Sequence, residues 1–94
     1  MAYEFEWSPT KAAANYRKHG VTFEEAVAAF ADSFALLLPD PAHSEEEERY
    51  LALGQSDRNR LIVVSFAERP PRTRLISARL ATRREHRHYE EAQS

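Results

Sequence analysis

The chain has no cysteine and only two glycines among its 94 residues. The missing cysteine excludes disulfides, thiolate catalysis and a cysteine-ligated zinc site. It also suits a reducing compartment such as the cytoplasm. So little glycine leaves no glycine-rich loop to cradle phosphates, so no ATP, dinucleotide or other cofactor site is expected. No apolar run approaches the ~20 residues a membrane span needs. The opening MAYEFEWSPTK lacks the basic-then-apolar layout of a signal peptide. These absences predict a soluble cytoplasmic protein with no membrane partner. Lysine is absent as well, but only from the second half. Residues 49–94 carry ten arginines and five acids, a net of +5, whereas residues 1–48 carry three basic residues and ten acids, a net of −7. The overall charge of −2 conceals that split. Arginine donates hydrogen bonds in planar pairs and keeps its charge, which suits phosphate. An arginine-only basic half points to RNA, DNA or an acidic protein partner. The plain alternative is that these side chains only solvate strand edges and a helix.

An apolar content of 43 % suits one small domain spanning residues 1–94. Tyr3–Trp7 alternates aromatic and acidic residues, which predicts a strand. Ser8-Pro9 opens a helix that ends at Gly20. Thr22 and Glu25 have capping-box spacing, and Phe23, Ala26, Val27 and Phe30 form the apolar stripe of a second helix. Strands are then predicted at Phe34–Leu38, Arg49–Gly54, Arg60–Ala67 and Thr73–Leu80, with a last helix from Thr82 to about Glu91. The fold class is therefore α+β: two N-terminal helices on an antiparallel sheet, then a C-terminal helix.

Pairing the last two strands so that residue numbers sum to 142 sets Phe66 against Ile76 and Val64 against Ala78. One face is then apolar, and the other carries Ser65, Ser77, Arg69 and Arg79. Glu68 ends the central strand and Arg83 starts the last helix. Guanidiniums beside a carboxylate can hold a phosphate and stabilise charge that develops on it. A Glu68–Arg74 salt bridge among solvated arginines is the structural alternative. Lys11, Asn15 and Lys18 share a helical face with His19 beside it, suited to a phosphate backbone or simply to water. His19 also suits the end of a helix, where its charge complements the dipole. His43, in the loop P-A-H-S, titrates near neutral pH and is a candidate acid or base, or plain polar surface. The Glu45–Glu48 run reads as a solvated strand entry or a contact for a basic partner. His86 and His88 are two apart on a helix and diverge, and no H-x-x-x-H pair exists, so no metal site is expected.

Four segments together resemble the BrnT family of bacterial toxins: K-x-x-x-N-x-x-K-H-G-V-T-F-E-E-A from Lys11, D-x-x-H-S-x-x-E-E-R-Y from Asp40, V-V-S-F-x-E-R from Val63, and R-L-I-S-A-R-x-A-T-R-R-E-x-x-x-Y-E from Arg74. The resemblance covers nearly the whole chain, in order. It implies a RelE-like fold and a ribonuclease toxin of a type II toxin–antitoxin pair that inhibits growth. It also implies a BrnA-type ribbon-helix-helix antitoxin, a heterotetramer of two toxins and two antitoxins, and contact with operator DNA only through the antitoxin. Two departures stand out: Trp7-Ser8 replaces the family's W-D, and Arg69-Pro70-Pro71-Arg72 replaces a glycine-containing turn. The expected activity is metal-independent cleavage of mRNA. Glu68 is the expected base with His43 in reserve, Arg69 and Arg79 stabilise the transition state, and Lys11, His19, Arg83 and Arg84 hold substrate. The competing reading is a non-catalytic protein of the same fold that binds a protein target or acts as an operon co-repressor.

Overall fold

The computed structural model describes residues 4–40 and 48–93. The elements are β1 (Glu4–Glu6), α1 (Pro9–His19), α2 (Phe23–Phe30), β2 (Leu36–Pro39), β3 (Arg49–Gln55), β4 (Leu61–Arg69), β5 (Arg72–Leu80) and α3 (Arg83–Glu91). The strands form one sheet in the order β1-β5-β4-β3-β2. The expected antiparallel sheet is corrected at one edge: β1 runs parallel to β5, and the other three pairings are antiparallel. Sequence neighbours β2 to β5 are paired in succession, which fixes their directions. No such connection ties β1 to β5.

Local chemistry sets the helix ends. Ser8 Oγ accepts the Lys11 N–H, Pro9 occupies the first turn, and Gly20 closes α1 at φ +70°. Thr22 Oγ1 accepts the Glu25 N–H at 3.0 Å. The expected reciprocal bond from Glu25 does not form, because its carboxylate accepts from Arg60 and from Ser56 Oγ instead. Those bonds hold Glu25 below the usual carboxylate range, the Arg60 hydrogen bonds outweighing burial. They pin the start of α2 to the β3–β4 turn. At α3 the box is complete: Thr82 accepts from Glu85 N–H, and Glu85 accepts from Thr82 N–H.

Helices α1 and α2 cover one face of the sheet. Their core holds Val21, Phe23, Ala26, Ala29 and Phe30 against Ala52, Ile62, Val64, Phe66, Leu75 and Ala78. Phe30 meets Phe66 edge-on with centroids 4.9 Å apart, and Phe5 at 5.3 Å. A smaller cluster, Leu53, Leu61, Val63 and Tyr89, seats α3 on the opposite face. Burial from both sides explains why Leu61 to Ala67 read as continuous apolar strand.

Two close approaches fix the layers. Asn15 is buried in α1, and its amide donates to Ala78 O at 2.9 Å and Val21 O at 3.0 Å while accepting from Ala78 N–H. Asn15 is therefore not part of a phosphate-binding helix face; it is a structural bond between α1 and β5. Gly54 lies under α2, where a Cβ would meet Ala29 O at 2.2 Å. Gly54→Ala is expected to destabilise the protein by ~1–3 kcal/mol or more, since two backbones must part. Urea unfolding would measure it, and a loss under ~0.5 kcal/mol would show that α2 shifts freely.

The β4–β5 register holds as expected from Ile62↔Leu80 to Ser65↔Ser77 and then slips. Phe66 pairs with Leu75 rather than Ile76, and the turn closes on Arg69↔Arg72. Ile76 is the extra residue of a bulge, and it reverses the facing of residues 72–75.

Candidate functional site

Reading across β3, β4 and β5 on the α3 side gives successive rows. One is Leu53, Val63 and Arg79; the next is Leu51, Ser65 and Ser77; the third is Arg49, Ala67 and Arg74. Arg69 and Arg72 form a fourth. This face therefore carries two small hydroxyl side chains in the middle and arginines around them. Glu4 and Glu6 on β1 border it, with Arg72–Glu4 at 3.9 Å and Arg74–Glu6 at 3.8 Å. The first pair is exposed and the second half-buried, and at these long separations both contribute little to stability. Arg49 and Arg74 escaped the sequence reading. Arg49 would follow from alternation along β3, and Arg74 from the two-residue Pro70-Pro71 turn, which forces a register different from the one the apolar residues favour.

Arg69 and Arg79 lie on this face, away from α1 and α2, as the alternation predicts. Arg79 is not idle. Its Nη1 and Nη2 donate to Glu85 Oε1 and Oε2 at 2.9 and 3.0 Å, a parallel fork. Hydrogen bonds from Arg79, helped by Thr82 N–H and opposed by burial, lower the Glu85 carboxyl to about 2. The same fork raises Arg79. The far end of α3 is held by Tyr89, which is pushed to about 12 by burial and by donating its hydroxyl to Asp32. Asp32 also accepts from Gln55 N–H at 2.9 Å and Phe34 N–H at 3.0 Å. Burial raises Asp32, but these three bonds prevail and hold it low.

A pH dependence follows. Glu85 is lowered on folding, so its stabilisation is complete above the unfolded value near 4.5 and is lost as pH falls toward about 2. Near-ultraviolet circular dichroism of the α3 tyrosine should show acid loosening over that window in the native protein. Glu85→Gln should flatten that slope in part, the remainder belonging to Asp32, which is also held low and bonds Tyr89; an unchanged slope would mean that Glu85 contributes nothing.

The other expected site residues are dispersed. Glu68 points to the α1–α2 side, where Thr73 Oγ1 donates to it at 3.0 Å. It stands five residues from Val63, the partner of Arg79, or ~16 Å along the strand. The geometry thus separates Glu68 from the arginine face, because neighbours in a strand face opposite ways. The alternative Glu68–Arg74 bridge is not what Arg74 makes either: Arg74 pairs with Glu6. Lys11 and His19 ride on α1, across the sheet from Arg79. Arg83 and Arg84 open α3 beside the face and are exposed. His43 and Glu45–Glu47 lie outside the described residues; Glu48 accepts from the Tyr50 hydroxyl at 2.6 Å. Among the described residues no three His, Asp or Glu side chains gather to hold a metal ion. No described helix is long and apolar enough to cross a membrane.

Fold and face together define an α+β protein with a cationic sheet surface. Residues 7–85 match the family model described as the ribonuclease toxin BrnT of type II toxin–antitoxin systems. The chain belongs to that BrnT family, and membership of a toxin–antitoxin family implies an antitoxin partner. It is similar in structure to the Brucella abortus ribonuclease toxin BrnT, with a TM-score of 0.63 and 24 % identity over 87 % of this chain and 100 % of that one. That likeness shows a shared fold. No curated protein matches the sequence.

Proposed function

We propose that this toxin cleaves mRNA on the arginine face, without a metal ion, in the cytoplasm. The observation that carries the reading is the run of arginines along the face that bears Ser65 and Ser77, Arg79 one row to one side and Arg49, Arg74 and then Arg69 to the other, on a member of a ribonuclease toxin family. The ribose 2′-oxygen attacks the adjoining phosphorus as the bond to the 5′-oxygen breaks. The products are a 2′,3′-cyclic phosphate and a 5′-hydroxyl end. Arg79 stabilises the charge of the phosphorane, while Arg83 and Arg69, the latter six residues along β4 from Arg79's partner Val63 and so ~20 Å away, hold more distant phosphates. The proton acceptor is His43 in this reading, Glu68 being turned to the other face. Two helices over one sheet face and a third across it support the RelE-like assignment. The partner is a BrnA-type antitoxin in a heterotetramer with two copies of each chain, and operator DNA is reached through the antitoxin alone.

The test is incubation of a defined mRNA with purified toxin in the presence of EDTA. Discrete 5′-hydroxyl ends are expected; intact RNA would sink the reading. A second reading, a non-catalytic binder of an acidic protein, draws on one observation: the Arg79 fork is already engaged by Glu85.

Antitoxin and RNA are expected to compete for the surface around Arg79 and Arg83. Association rates for both should fall with added salt, as long-range attraction is screened. Arg83→Glu should slow both. Unchanged rates across salt would make the exposed start of α3 a solvated surface only.

A further inference from the structure

We propose that the pocket between α3 and the sheet takes one unstacked nucleobase of the RNA, beside the phosphate held at Arg79. The proposal rests on the ribonuclease reading above. The pocket has a volume of about 320 Å³. Leu51, Leu53 and Val63 make an aliphatic floor, and Arg84, Glu85 and His88 of α3 make a wall. Leu38 stands at its edge, 39 % exposed. Three features argue for a base. The space lies at the small end of ligand clefts, ~300–1,000 Å³, enough for one planar ring and too small for a helix. It adjoins the arginine face directly, since Val63 pairs with Arg79 and Glu85 binds it. Its wall is cationic and hydrogen-bonding, while the one carboxylate there, Glu85, is neutralised by the Arg79 fork. Single-stranded RNA is read in this way: the ring sits on apolar or planar side chains and its edge meets donors. Donors from Arg84 and His88 favour a base whose edge presents acceptors, guanine above adenine. A larger pocket, lined by Phe30, Leu37, Tyr50, Phe66 and Glu68, carries a carboxylate that no arginine fork is seen to neutralise among the described residues, and a third, lined by Gln55, Asn59, Leu61, His86 and Glu90, lies farther from Arg79.

The experiment maps the 5′-hydroxyl ends released from one long defined transcript by wild type, Leu38→Trp and Arg84→Ala. Both replaced side chains are exposed, so the fold is expected to survive, and thermal melting checks each variant. Wild type is expected to cut with a bias of ~10-fold or more at one position flanking the scissile bond, and each variant should reduce that bias to about twofold. A bias at the same base and strength in both variants overturns the pocket while leaving cleavage established. Unbiased cutting by wild type does the same. Loss of antitoxin affinity with the bias intact assigns the pocket to the protein partner and overturns the base. A wild type that releases no ends overturns the ribonuclease reading itself, and the pocket proposal with it.

Discussion

Arg79→Ala is expected to slow RNA cleavage by ~10²–10³-fold, the usual cost of losing one placed stabiliser of developing charge. The complication is its fork with Glu85, because the same substitution also loosens α3. Glu85→Gln separates the two effects. It weakens the fork as well, but leaves the guanidinium on the face and free to turn to phosphate. If Arg79 acts on RNA, Glu85→Gln should keep cleavage within ~10-fold of wild type while Arg79→Ala does not. Equal losses in the two variants would mean that Arg79 serves only to dock the helix. Single-turnover rates on a short RNA would decide, with antitoxin binding as the check on folding.

The largest stability loss is expected at Phe30. Its ring is 9 % exposed and sits between Phe5 and Phe66, both edge-on. Removing it takes away buried area, two aromatic contacts and the plug between α2 and the sheet. Phe30→Ala should cost ~3–5 kcal/mol, a large share of the ~5–15 kcal/mol that holds a typical domain together. Guanidinium unfolding would measure it. A cost below ~1 kcal/mol would show that the surrounding rings close over the gap.

Most of the fold was legible because its signals are local. Ser8-Pro9, Thr22 and Thr82 start helices at the expected places, and period-two alternation marks β3, β4 and β5. The direction of β1 was not legible, because nothing near it in sequence dictates which way it pairs. The bulge at Ile76 was hidden by a rule that is usually sound, the clean segregation of apolar side chains. That rule fitted the upper half of the hairpin and failed below Ser65. The error mattered for the site: it left Arg74 off the arginine face, and chain proximity alone set Glu68 beside Arg69. Asn15 and Glu25 were misread for another reason. Each looked like surface chemistry, a phosphate contact and a capping box, yet each is buried by elements more than thirty residues away: Asn15 bonds to Ala78, and Glu25 to Ser56 and Arg60.

The Asn15 bond carries a consequence for amide proton exchange. Ala78 lies in the middle of a strand, where an N–H is ordinarily protected by the neighbouring strand. Here the acceptor is a side chain of α1. Its deuterium uptake therefore times the lifting of α1 from the sheet, whereas amides held within the β3–β4 ladder time the opening of the sheet itself. A single amide thus becomes a clock for the departure of one helix.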